Sequence, residues 1–339
     1  MRRFGQTFYL IIGMAMACHA ALAQTTRPAV VDPAIVPFIT AGTLLVAKVD
    51  LARIDPAVIH DSLIADAPAT QDSDRARKTI ERMQPQLPAA RKWLADFRKA
   101  GGRYVYAVAF LGDPEDLPGV VIVPLAPGAD ARAIAGLLVS GNADGPDHAD
   151  NIYGGCDAIV LHDAVVFGLS FQVDKMKLAR PVDRPQLAEA LAALGDAPIK
   201  VAFSPSIALQ MVAGELLPEQ LPDFAGGGAP VAMVHTLDWA AFGTSPPPGP
   251  YVHLIIQCKD PLGAQAYADA ATALLSSLST DTRWRKLLPA MDQFVAALKP
   301  SVESSRVQLN LDSRTLNELV VPGLLMMTPA ELPAPATQP

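Results

Sequence analysis

The feature that most constrains this 339-residue chain is a stretch written twice. YVYAVAFLGDPEDLPGVVIVPLAPGADARAIAGLL, within residues 103–140, reads as a strand, a Gly/Pro turn, a strand and a helix. HTLDWAAFGTSPPPGPYVHLIIQCKDPLGAQAYADAATALL repeats that order. Ala109-Phe110 answers Ala241-Phe242 at an offset of 132, and Ala131 to Ala135 answers Ala264 to Ala268 at 133. So steady an offset across two strands and a helix points to an internal duplication. The repeat extends outward in both directions. A strand and helix over Thr43 to Ile64 return at Ile199 to Leu217, with Val49-Asp50 against Phe203-Ser204 at an offset of 154. A closing strand and helix over Val165 to Ala179 return from Arg306, with Ser170 against Asp312 at 142.

Each copy therefore reads strand-helix, hairpin, helix, strand-helix. Short hairpin turns imply antiparallel sheets, and helices with one apolar stripe bury that stripe on a sheet face. The expectation is an α+β fold of two similar modules, residues 40–183 and 184–327, each a mainly antiparallel sheet covered by helices on one face. The boundary falls in the two-proline stretch Arg180 to Pro185. Residues 24–39 form an extended Pro-punctuated arm and residues 328–339 a disordered Pro/Ala-rich tail. Local signals fix several ends. His162-Asp163 turns between two strands, Ser204-Pro205 and Asp260-Pro261 open helices, and Asp312 caps the last one. Ile134 and Tyr267 take equivalent places on the two sheets. The basic helical region Arg75 to Lys99 is the main extra of the first copy, and reads as a solvated face. The amphipathic run Thr282 to Leu298 is the main extra of the second.

Residues 1–23 carry Arg2 and Arg3, then an uncharged run, then Ala21-Leu22-Ala23, the layout of a secretory signal peptide. The run is shorter than the about 20 residues a spanning anchor needs. Cleavage near Ala23 would leave a periplasmic or secreted chain starting at Gln24, with no stable membrane span. Losing two arginines takes the net charge from −7 to −9, and an acidic protein is repelled by nucleic acid. Cys156 and Cys258 remain after processing, and an oxidising compartment leaves open either a disulfide between them or their burial as free thiols.

The chemistry-bearing patterns fail on spacing. No GxSxG, SxxK, HExxH, CxxC or P-loop occurs. The loop GNADGPDHAD, residues 141–150, holds Asp144, Asp147, His148 and Asp150, yet a calcium loop counted from Asp144 puts Pro146 and Gly155 where oxygen ligands belong. Gly226-Gly227-Gly228 lacks the Lys-Ser/Thr of a phosphate cradle. Ser204 and Ser206 sit at a helix start, where capping accounts for them. His162 and His253 lie among strand residues as structural histidines. No catalytic, cofactor-binding or metal-ligating residue is assigned, and no cofactor.

VVIVPLAPGADARAIAGLL, AIVLHDAVVFGLSFQVDKMKLA and DAPIKVAFSPSIAL together resemble a family of uncharacterised exported bacterial proteins, in which a strand, an acid-capped helix, a hairpin and a Ser-started helix recur. The resemblance implies export and duplication and brings no catalytic residues with it. The expected function is a non-enzymatic extracytoplasmic binding or scaffold protein, whose partner is another extracytoplasmic protein or a component of the cell envelope. The alternative is a hydrolase-like enzyme with a site between the modules, marked by a concave site joining a His to a Ser, Cys or carboxylate.

Overall fold

The computed structural model describes residues 32–65, 81, 84–110, 119–140, 155–220, 229–280, 285 and 291–316. Its strands are β1 (Thr43–Asp50), β2 (Tyr104–Phe110), β3 (Val120–Pro124), β4 (Cys156–Leu161), β5 (Ala164–Leu169), β6 (Ile199–Phe203), β7 (Leu237–Ser245), β8 (Tyr251–Cys258), β9 (Ser301–Glu303) and β10 (Arg306–Leu311). All ten join one antiparallel sheet in the order β4-β5-β3-β2-β1-β6-β7-β8-β10-β9.

The fold is therefore α+β, with one continuous sheet in place of two. The first strand of each half has only one neighbour within its half, which leaves a row of unpaired N–H and C=O groups. These two edges satisfy each other: Leu45 to Val49 of β1 pair with Phe203 to Ile199 of β6, and Ala47 lies directly opposite Val201.

The helices are α1 (Pro56–Ala65), α2 (Leu87–Lys99), α3 (Ala131–Ser140), α4 (Ser170–Lys177), α5 (Pro185–Ala193), α6 (Ile207–Leu216), α7 (Pro230–Thr236), α8 (Pro261–Thr280), α9 (Met291–Ala297) and the short α10 (Ser313–Thr315). They cover both faces of the sheet, not one. On the front, Val46, Tyr106, Val108, Ile122, Val166, Ala202, Ala241 and Ile255 pack against Leu187, Ala190 and Leu194 of α5 and against Ile35, Phe38 and Ile39. On the back, Val123, Val165 and Phe167 take Leu94 and Phe97 of α2 with Ile134 and Leu138 of α3, while Val307, Leu309 and Leu311 take Ala264 and Ala268 of α8. The cause is that several strands, such as β5 with Ala164 to Phe167 all buried, are apolar on both sides. The arm is corrected by the same packing: Ile35 and Phe38, both wholly buried, make its last residues core.

Local chemistry explains the element ends. His162 (φ 50°) and Asp163 (φ 57°) give the β4–β5 hairpin two left-handed central residues, the turn that matches strand twist. Asp260 Oδ1 accepts from Gly263 N at 2.7 Å, and Asp312 Oδ1 from Thr315 N at 2.8 Å, so both expected caps are made. Helix α6 starts later than its Ser-Pro signal, because Ser206 Oγ is the cap, accepting from Leu209 N at 3.1 Å. Asp50 caps only the 3-10 turn Leu51–Arg53, and the Oδ1 of Asp55 accepts from Ala57 N at the start of α1. The turns at 112–114 and 226–228, the acidic loop and the 328–339 tail lie outside the described residues.

Candidate functional site

The halves meet at β1–β6, and a shallow front-face depression opens at one end of that seam. Strand β1 supplies Lys48 and Asp50, the turn after it Arg53, and the start of β2 Arg103 and Tyr104; the second half adds Asp196, Ala197, Pro198 and Lys200. Period-2 alternation sends Lys48, Lys200 and Tyr106 to one face, and register sets Lys48 directly opposite both Lys200 and Tyr106. Four cations and two carboxylates line the depression.

The carboxylates are taken. Asp50 receives Arg103 Nε at 3.4 Å and Nη2 at 3.2 Å, a contact that raises the Arg103 pKa. Asp196 receives Arg53 Nη1 at 3.0 Å, and the same nitrogen donates to the Asp196 carbonyl at 2.6 Å. The lysines are held differently. Lys200 Nζ donates to Leu191 O at 3.3 Å and to Gly195 O, the carbonyl end of α5. Burial first, and then the charge of Lys48, lower its pKa. Lys48 Nζ stands 4.1 Å above the Tyr104 ring and 5.3 Å from that of Tyr106, a cation–π seat. Its carboxylate, Asp32 Oδ2, is 3.8 Å away, beyond hydrogen-bond range, and already accepts from Tyr106 Oη at 2.6 Å. Burial with that hydrogen bond pushes the Tyr106 pKa upward.

A second cleft lies between α1 and α2, lined by His60, Asp61, Gln84, Leu87, Pro88 and Arg91. His60 Nδ1 is 3.2 Å from Asp61 Oδ1, while the buried Nε2 has no hydrogen-bond partner among the described residues. The sequence drew no attention to this pair, since adjacent His and Asp on a helix form no motif. Only burial of the imidazole, at 7% exposure, marks it.

The residues singled out from sequence are scattered. Cys156 and Cys258 are free thiols on β4 and β8, seven strand positions apart and so on the order of 30 Å from each other. A disulfide needs Cα atoms within about 7 Å, so the two do not pair within one chain. Burial raises both thiols, Cys258 to about 11. Ser204 Oγ donates to Asp238 O at 3.0 Å and ties β6 to β7; Ser206 is the cap of α6. His162 sits in its turn with its ring edge-on to Phe38, and His253 Nε2 meets Gln308 Oε1 at 3.3 Å. Among the described residues no three His, Cys, Asp or Glu side chains converge as metal ligands, and no helix is long and apolar enough to cross a membrane. The chain matches no known family model, no curated protein and no solved structure.

Proposed function

We propose that the chain is an exported binding or scaffold protein made of two copies of one α+β module, and that it binds at the seam between them. The duplication is supported by the way the sheet steps outward from its centre. The 154-residue offset matches Ala47 to Val201, and these two residues face each other. From Ala47 the registers lead to Ala107, Val121 and Phe167; from Val201 they lead to Phe242, Leu254 and Leu309. Val121 and Leu254 are 133 apart, and Phe167 and Leu309 are 142 apart, the offsets read for the neighbouring helices. Ala107 and Phe242 are 135 apart, so the 132 read for the first hairpin strand slips by three in an Ala-rich run. Ile134, wholly buried, and Tyr267, half-buried with its hydroxyl donating to Met233 O at 3.0 Å, occupy matching helices at the 133 offset.

The observation that carries the binding reading is the seam depression, to which both halves contribute charged side chains. Joined modules place surface clefts at their junctions, where ligands most often sit. Capture from envelope extracts tests it, using the mature chain from Gln24 beside a Lys48→Glu/Lys200→Glu variant. A partner held by the first and lost by the second is expected. Equal capture by both, or none, overturns the reading. Export is checked by sequencing the N-terminus of the exported protein, and a start at Met1 refutes it.

His60 favours a second reading, the hydrolase-like one. A carboxylate on Nδ1 orients an imidazole and leaves Nε2 as a base, and this pair lies in a cleft within the first half. Among the described residues no Ser, Thr or Cys lines that cleft, and water would reach the buried Nε2 only on a local opening of it. Loss of hydrolysis of a chromogenic ester by His60→Gln, with the fold retained, is its signature; an ester left untouched by the native chain removes it.

A further inference from the structure

We infer that the seam depression is an anion site, in which Lys48 and Lys200 together hold an oxyanion of two negative charges, a phosphoryl group or a dicarboxylate. The inference rests on the binding reading above and gives that site its ligand class. Like charges directly opposite on neighbouring strands destabilise a sheet, yet Lys48 and Lys200 face each other on its two central strands. Lys48 keeps one loose ion pair, with Asp32 at 3.8 Å, and the carboxylates of the lining are paired with arginines. Asp50 is held by Arg103 and Asp196 by Arg53, while Asp32 keeps its charge, accepts from the Tyr106 hydroxyl at 2.6 Å and stands too far from Lys48 for a direct hydrogen bond. Counting Asp32 with the lining, four cations face three carboxylates, a local positive excess in a chain of net charge −7.

The donors are also available. An ammonium has three N–H bonds, and Lys200 uses two on carbonyls of the α5 end, leaving one. Lys48 is positioned by ring faces, which consume no directional hydrogen bond, and its carboxylate is too far to accept one. Both ammonium groups line the same depression. The two arginines are paired with Asp50 and Asp196 and flank the site as nearly neutral pairs, so the positive charge offered to a ligand is that of the lysines. An oxyanion bridging the lysines would turn their mutual repulsion into shared attraction, and charge-assisted bonds of this type are the strong ones.

Calorimetric titration of the mature chain with inorganic phosphate, and separately with succinate, tests this at low ionic strength. Binding of one equivalent is expected. Lys48→Gln and Lys200→Gln should each weaken it by about tenfold or more. Lys48→Arg keeps the charge and should retain most of the affinity, and Lys177→Gln, an exposed lysine paired with Asp174 far along the chain, should change nothing. Circular dichroism and urea midpoints show that each variant folds, and Lys200→Gln can still donate one N–H to a carbonyl. Phosphate alone binding names a phosphoryl ligand, succinate alone a dicarboxylate, and both a general dianion site. Absence of binding by either probe, or equal losses in Lys48→Gln and Lys177→Gln, overturns the anion class. The capture experiment then separates the two ideas: a partner still lost on Lys48→Glu/Lys200→Glu leaves the binding reading standing, whereas one held equally ends that reading, and the titrations alone decide the anion class.

Discussion

Replacing Ile134 with alanine tests whether the two halves stand or unfold as one body. Ile134 is wholly buried on α3 against Val123, Val165, Phe167, Leu94 and Phe97. The substitution removes three carbons, worth about 0.8 kcal/mol each in transfer, or about 2.4 kcal/mol, and incomplete collapse of the cavity brings the loss to about 3 to 4 kcal/mol. Each half carries its own reporter. Trp93 stacks on Phe97 at 5.1 Å in the same cluster as Ile134, and Trp239, 1% exposed, sits in β7 beyond the seam. In a Trp284→Phe background, Trp93→Phe and Trp239→Phe versions isolate one fluorophore at a time. If the β1–β6 seam makes one cooperative unit, Ile134→Ala lowers the urea midpoint of both reporters equally, by about 1 to 4 M for a slope of about 1 to 3 kcal/mol/M. A midpoint that moves for Trp93 and stays for Trp239 would refute the single-body argument, and a loss below 1 kcal/mol would refute the packing argument.

Gly102→Ala should cost about 1 to 3 kcal/mol, because a Cβ there would stand inside 3.0 Å of the buried Phe97 ring; adding Phe97→Leu should recover part of that in the same denaturation assay. Ser206→Ala should lose about 1 kcal/mol of helix capping, and a loss indistinguishable from zero would mean that the Leu209 N–H finds another acceptor. Burial lowers the His253 pKa, so the unfolded chain takes up its proton first. Stability conferred by this residue is full above about pH 6.5 and falls as pH drops below that value, levelling once the depressed folded pKa is passed. Subtracting the pH-stability curve of His253→Gln should isolate that fall, and parallel curves would contradict it.

Much of the architecture was legible because its signals are local. Asp260 and Asp312 cap where a short acceptor precedes a helical run, and the two-residue turn at His162-Asp163 is bounded by strands of matching length. What the sequence hid is non-local. Nothing in Thr43 to Asp50 says that its free edge meets Ile199 to Phe203, since pairing partners carry no mark of each other. The three exposed residues of β9 lack the alternation that identifies a strand. The seam site was illegible for the same reason: Lys48 and Lys200 are single lysines within separate strand runs and form no motif until the register faces them. His60 gave no signal until burial stripped water from one of its nitrogens.

The seam also sets an order of events during synthesis. Strand β1 emerges early, and β2 can pair with one side of it as soon as the first hairpin is made. The other side must wait for β6, whose residue Val201 follows Ala47 by 154 positions. At about 5 to 20 residues per second that interval is about 8 to 30 s, during which a row of backbone donors and acceptors in the middle of the finished sheet stands open as an edge. Closure of that row from both sides is the step that turns two growing half-sheets into one, and any chain interrupted before β6 is left with a strand ready to pair with whatever arrives first.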